Sequence, residues 1–274
     1  MVERTPHRMA AIATESSNAY QGAAAAWAGG PAALYDRLAT IAIAGVAHEL
    51  RGASVLDVGA GTGALCRALR TAGAIPVAVD SSADMLDLIG DAAATSVVGD
   101  MCALPLTDGR LDAAVCGFAI SHIDEPQDAL TEMCRVVRPC GLVIASVFGE
   151  APASAAKDVI ETVAREFGFI PPGWYLRLKT RTEPRSNTPA LLHACAASAG
   201  LEDIDVADLT VDSGLETPES IAAYRTGLAH IAPFVASLPA PRRTEFIERA
   251  VAAVRERGQP LRPRILVLSS RVPA

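Results

Sequence analysis

The stretch Val55-Leu56-Asp57-Val58-Gly59-Ala60-Gly61-Thr62-Gly63 limits the fold more than any other part of the chain. An apolar run closes on an acid and breaks into three alternating glycines, the pattern of a strand entering a glycine-rich turn and then a helix. Such a turn belongs to a parallel α/β sheet and marks where that sheet holds an adenosine-containing ligand.

The flanking sequence supports this reading. Leu34 to Leu50 carries apolar residues at helical spacing and is expected to deliver the chain to a first strand at Ser54 to Val58. A helix from Gly63 to Thr71, a strand from Ile75 to Val79, a helix from Ser82 to Ile89 and a strand from Ser96 to Val98 follow. Leu111 to Phe118 is a fourth strand, and a helix from Pro126 to Arg138 is expected to be capped by Asp124. Pro139 and Gly141 then predict a turn into a fifth strand, Leu142 to Phe148.

Beyond Gly149 the alternation stops. Helices are expected at Ala153 to Phe167, Thr188 to Ala199, Pro218 to Leu238 and Arg242 to Arg257, with strands at Glu202 to Val211 and Ile265 to Ser269. Pro171 to Tyr175 reads as a loop. The pieces sum to a Rossmann-like, doubly wound α/β fold: a seven-stranded, mostly parallel sheet with helical insertions forming a lid. No linker or repeat divides the 274 residues. A single domain is expected, with a helical cap at 1–50, a ligand-binding core at 51–149, and insertions at 150–185 and 213–260 over the pocket.

A net charge of −7 argues against nucleic acid as partner, because binding there rests on many cationic contacts with phosphates. Lys157 and Lys179 are the only lysines. Six cysteines without a C-x-x-C pair read as free thiols in a reducing cytosol, with no metal site. Met1 to Ala26 lacks the continuous apolar core of a signal peptide or membrane span, so the expectation is a soluble cytoplasmic protein, monomeric or homodimeric, with a small-molecule substrate.

The glycines alone leave two ligands open, since Gly59-x-Gly61-x-x-Ala64 also satisfies a dinucleotide fingerprint. Charge separates them. Asp57 beside a pyrophosphate would be repelled by roughly 4 kcal/mol at about 4 Å and an effective dielectric near 20. A ligand with an ammonium and a sulfonium would be attracted, and S-adenosylmethionine has both. Asp80 closes the second strand about 20 residues after the first glycine, the spacing of a ribose-binding acid. Asp100 closes the third, next to Met101, where a carboxylate meets an adenine amino group while an apolar neighbour covers the ring.

With these residues the chain resembles the class I S-adenosylmethionine-dependent methyltransferases, and within them the small-molecule, UbiE-like type 11 branch. Val55 to Gly63 resembles the first motif of that family, Asp80 its ribose acid, and Asp100-Met101 its adenine-contacting pair. Leu104-Pro105-Leu106 before Leu111, and Arg138-Pro139-Cys140-Gly141, resemble later landmarks. Cys140 stands where the family usually has a second glycine, which bears on the geometry of that turn. The likeness runs from Tyr20 to about Phe148. It implies S-adenosylmethionine as cofactor, held by Tyr20, Trp27, Asp57, Gly59, Ala60, Gly61, Asp80, Ser81, Met85, Asp100, Met101, Cys102 and Phe118. Tyr20 and Trp27, seven residues apart, resemble an aromatic pair closing over the cofactor's methionine end, and ordinary helix packing would use the same spacing.

Transfer from a sulfonium is an in-line displacement, so alignment and exclusion of water come first, and a base is needed only where the acceptor must lose a proton. His122 follows the fourth strand and is the candidate base; a histidine there also serves structural or cofactor-facing roles. His193 and His230 fall in expected helices of the variable half. Tyr224, Ile231 and Phe234 lie at helical spacing, and Phe148, Phe167, Phe169, Trp174 and Tyr175 gather at the other insertion. In a chain with 4% aromatic residues, that gathering points to an apolar or aromatic substrate, and the docking of helices would gather the same rings. The expectation is methyl transfer to a small, largely apolar metabolite in specialised biosynthesis. An alternative keeps the fold and the cofactor but catalyses a cyclisation or rearrangement; an NAD-dependent oxidoreductase is disfavoured by Asp57.

Overall fold

The computed structural model describes residues 20, 23–151, 155–257 and 260–274. Seven strands form one sheet: β1 (Ser54–Val58), β2 (Ile75–Asp80), β3 (Thr95–Val98), β4 (Leu111–Gly117), β5 (Val137–Phe148), β6 (Glu202–Thr210) and β7 (Arg264–Arg271). Their spatial order is β3-β2-β1-β4-β5-β7-β6, and β7 alone runs against the others. The strand order reverses between β1 and β4, so their carboxyl ends open the crevice where open α/β sheets hold ligands.

The central strands are near-continuous apolar runs because helices cover both of their faces. On one face pack α1 (Ala24–Gly29), α2 (Pro31–Ile43) and α3 (Ala64–Thr71), followed along the chain by α4 (Ala83–Leu86) at the carboxyl edge. The other face takes α5 (Pro126–Val136), which buries Ala129, Leu130 and Met133 at helical spacing against Leu56, Ala114 and Val143. Next come α6 (Ala155–Glu166), α7 (Gly173–Arg177), α8 (Pro189–Ser198), α9 (Pro218–Thr226), α10 (Ala232–Ser237) and α11 (Ala240–Arg257). Of these, α8 joins α5, while α6, α9 and α11 pack with α2 on the first face.

Several boundaries differ from expectation for identifiable reasons. The first long helix ends at Ile43 rather than Leu50: with Gly45 next, the bonds Ala44 N–H to Ile41 and Val46 N–H to Ile43 tighten the chain into turns. The helix expected at Ser82 to Ile89 is the single turn α4, capped by Ser82, and Gly90 at φ 55° turns the chain away. Asp124 does not cap α5. The cap position is Glu125, whose carboxylate makes no capping bond and accepts instead from Gln127 Nε2 at 2.9 Å, while Asp124 reaches Arg181 at 3.2 Å. Gly173–Arg177, read as part of a loop, is helical because Pro172 ends the extended segment at the N-cap, and the coil widens onward through a π turn at Leu178–Thr182. The helix expected over Pro218 to Leu238 is two, α9 and α10. Pro233 cannot sit inside a helix, and a Cβ at Gly227 would meet the Ala26 carbonyl at 2.6 Å.

β5 begins at Val137, with no separate turn before it. Leu111 pairs with Val137 but Ala113 with Leu142, so the four residues between form a bulge inside the strand. Cys140 takes φ 60° there, the left-handed conformation a glycine would adopt freely, at a cost of about 1–2 kcal/mol.

Candidate functional site

The glycine turn leaves β1 and is closed by Asp80. One Asp80 oxygen accepts from Gly61 N–H at 2.8 Å and the other from Ser82 N–H at 2.8 Å, so the acid at the end of β2 and the turn after β1 form one unit. Burial raises this carboxyl above its ordinary value, and the backbone donors, Ser81 among them, hold it back. Gly59, at φ 69°, lies where β1 and β4 come closest: a Cβ there would stand 2.5 Å from that of Ala119. No heavy atom lies within 4 Å of where a Cβ on Gly61 would be, so this is the open side of the cradle.

Asp57 is 1% exposed and packs against α3, accepting from the Cys66 thiol at 3.1 Å, while its second oxygen has no partner. Burial pushes its pKa up to about 7, against the lowering influence of Cys66. Ala60 also faces inward, in a cluster with Cys66, Ala78, Leu86 and Ile89, and its N–H is taken by Val79. Asp57 and Ala60 therefore shape the turn from below.

Past β3, Asp100 is exposed and accepts from Cys102 N–H at 2.8 Å, closing a tight turn. That turn brings the Met101 methyl to 3.4 Å from where a Gly59 Cβ would stand, against the glycine turn. The Cys102 thiol is pushed up to about 12 by burial and by Asp100. Ser81 is exposed beside Asp80.

Above the carboxyl ends of β4 and β5 lies a continuous aromatic cluster. Tyr20 lies 6.0 Å from Trp27, 6.1 Å from Trp174 and 5.7 Å from His122, ring centre to ring centre. Trp27 meets Tyr35 at 4.7 Å, Tyr35 meets Phe118 at 5.6 Å, and Phe118 meets Phe148 at 4.7 Å. Trp174 touches Tyr175, which stacks flat on His230 at 3.8 Å. Tyr20 and Trp27 thus meet as expected, but only Trp27 is on a helix; Tyr20 sits in a turn, and residues 21 and 22 lie outside the described chain. Met85 joins this group with Ala23 and Ala229, tying the cap to the cofactor-side loop. Phe118 holds φ 58°, an outlier for a bulky residue, at the reversal point of the sheet.

His122 contacts the Tyr20 hydroxyl at a long 3.5 Å, and burial together with Lys179 brings its pKa down to about 4. His193 is exposed on α8 and takes no part. The expected aromatic gathering divides. Phe148, Trp174 and Tyr175 are in the cluster, Phe169 borders it, 6.4 Å from His230 and 5.3 Å from Phe234, and Phe167 packs away from it on Phe246. Tyr224 and Ile231 are core.

Sequence reasoning missed Tyr35, Lys157 and Arg225. Lys157 stands over the Phe148 ring at 5.8 Å, and Arg225, 6% exposed, donates to the Tyr175 hydroxyl at 3.2 Å. A signal was present: both lysines of the chain fall in the same insertion as the aromatics. The hollow lined by Arg51, Asp112 and Arg138 is at the opposite, amino edge of the strands, and Arg138 there is neutralised by Asp112 at 2.8 Å. Among the described residues no helix is long and apolar enough to cross a membrane.

Residues 56–145 match a family model described as a methyltransferase domain. A demethylmenaquinone methyltransferase of Clavibacter sepedonicus is 33% identical over 156 residues, 55% of this chain and 62% of that protein. The chain spans about half the length of the curated relatives it matches. Among solved structures, the [4+2]-cyclase SpnF superposes with a TM-score of 0.56 at 21% identity, over 87% of this chain and 82% of that one. Phosphoethanolamine N-methyltransferase 2 of Haemonchus contortus, in complex with S-adenosyl-L-methionine, superposes at 0.51 with 18% identity, over 82% of this chain and 49% of that one. Likeness at this identity establishes a shared fold.

Proposed function

We propose that this protein, whose residues 56–145 match a methyltransferase domain model, transfers a methyl group from S-adenosylmethionine to a small apolar or aromatic metabolite of specialised biosynthesis, as a class I enzyme of the type 11 branch. The observation that carries the reading is the union of Asp80 with the glycine turn. The carboxylate is locked by Gly61 and Ser82, yet each oxygen keeps a lone pair for a ribose hydroxyl. On this reading Met101, packed on the glycine turn, would cover the adenine, and the Tyr20, Trp27 and Phe118 rings would face the methionine end. The cap at 1–50 and the insertions at 150–185 and 213–260 are read as closing over a core at 51–149 in one domain.

When bound, the cofactor supplies an electrophilic methyl group. The residues of this chain align the acceptor and exclude water, which the aromatic cluster does by packing over the crevice. His122 is weak as a full base: removing a proton from a phenol of pKa near 10 by a group near 4 is uphill by about 8 kcal/mol. Its neutral ring suits orienting an acceptor hydroxyl by hydrogen bond. A cyclisation on the same fold is the competing reading, favoured by the superposition on SpnF. Incubation of candidate acceptors with S-adenosylmethionine, followed by mass spectrometry, separates them. Gain of one CH₂ with release of S-adenosylhomocysteine supports transfer, and conversion without change of mass supports the alternative.

A further inference from the structure

The acceptor side of the cluster is unevenly charged. Lys157 on α6 is partly buried and forms no ion pair among the described residues; its ammonium faces the Phe148 ring. Arg225 on α9 is 6% exposed and its Nε has no partner. The one carboxylate near Arg225, Glu161, lies at 3.4 Å and is shared with Arg165 at 2.7 Å. Lys179, which stands over the Tyr175 ring, is neutralised by Glu183 at 2.7 Å. Lys157 and Arg225 therefore place two cations at the border of an aromatic wall; the carboxylates acting on them are Glu161, shared with Arg165, Glu183, shared with Lys179, and Asp158, next to Lys157 in the chain. Burying such charges is costly unless they are paired. An anion beside Lys157 would supply the direct ion pair it does not form among the described residues, and the wall beside it suits a flat ring.

Resting on the methyl-transfer reading, we propose that Lys157 and Arg225 recognise an anionic oxygen on the acceptor, a planar apolar molecule bearing a carboxylate or an ionised hydroxyl. Arg225 is already anchored by the Tyr175 hydroxyl, so it offers a fixed donor, while Lys157 forms no ion pair among the described residues and has its ammonium over the Phe148 ring. Burial and the nearby Arg225 and Lys179 bring the Lys157 pKa down to about 8, so an arriving anion would restore its full charge.

The test is calorimetry with biphenyl-4-carboxylate and its neutral isostere biphenyl-4-carboxamide, in the presence of S-adenosylhomocysteine at pH 7. The wild type is expected to bind the acid at least tenfold more tightly than the amide. Lys157→Met is expected to cut that preference below twofold, and Lys157→Arg to restore it. Equal binding of acid and amide by the wild type, no measurable binding of either, or an undiminished preference in Lys157→Met overturns the proposal. A third probe, 4-phenylphenol, separates the two oxygen sources: tightening as the pH rises from 6 to 8, below the Lys157 pKa, marks an ionised hydroxyl, and an effect confined to the acid marks a carboxylate. S-adenosylhomocysteine is titrated alone in every variant. Loss of its binding in the wild type while the acid preference persists overturns the methyl-transfer reading and leaves the anion site standing.

Discussion

Replacing Asp57 by asparagine should stabilise the unliganded protein and at the same time disable it. Asp57 is buried with one oxygen unpartnered, and its pKa rises from 3.8 to about 7 on folding. Between those values the native state holds a proton that the unfolded chain has released, so stability falls as pH rises. The group contributes no penalty below pH 3.8 and the full penalty, about 4 kcal/mol, above pH 7. Asparagine removes the charge and keeps an acceptor for the Cys66 thiol, but it buries an amide donor without a partner, which costs about 1–3 kcal/mol. The net expectation is a variant more stable by about 2 kcal/mol at pH 8. That advantage shrinks by about 3 kcal/mol on going to pH 5, where native Asp57 is largely neutral. Urea unfolding of both proteins at unit steps from pH 5 to 8 reads this directly. S-adenosylmethionine affinity should follow the opposite course: in the wild type it weakens about tenfold per unit below pH 7, because an ammonium favours the ionised acid, and in Asp57→Asn it is weak throughout. Stability curves of the two proteins that run parallel across this range would refute the assignment of a strained, proton-holding acid beneath the turn.

Asp80→Ala leaves the N–H groups of Gly61 and Ser82 without their acceptor and removes the ribose contact; at about 1.5–3 kcal/mol for a charged hydrogen bond, S-adenosylhomocysteine binding should weaken by tenfold or more in calorimetry. Gly59→Ala places a methyl 2.5 Å from the Ala119 Cβ at a left-handed φ, and should cost about 3 kcal/mol in urea unfolding. With the His122 pKa held near 4, the histidine is neutral from pH 5 upward, so the pH profile of kcat, measured at saturating S-adenosylmethionine to remove the effect of Asp57 on cofactor affinity, should show no acid limb near 6.5. A limb there that vanishes in His122→Ala would show an unperturbed ring.

The core of the fold was legible because β1 to β5 are short apolar runs closed by acids and glycines, a pattern with one architectural solution. The glycine turn, Asp80 and Met101 were legible for the same reason, since their spacing is set by the strands they terminate. What was not legible depended on contacts distant in sequence. Gly227 breaks a helix because α1 passes against it, and Asp124 leaves its cap position for Arg181, 57 residues on. Lys157 and Arg225 gain meaning only where α6 and α9 converge on Phe148 and Tyr175, and neither carries a local motif.

Trp27 and Trp174 are the only tryptophans in the chain, and both lean on Tyr20 from different segments, the cap and the insertion after β5. The tryptophan fluorescence of this protein therefore comes from two places, the helix before α2 and the segment after β5, which meet at one tyrosine. No strand of the sheet carries a tryptophan, so emission colour and quenching report the surroundings of the Tyr20 contact with no label attached. The same signal makes stopped-flow mixing with cofactor or acceptor a direct readout of any change at that contact.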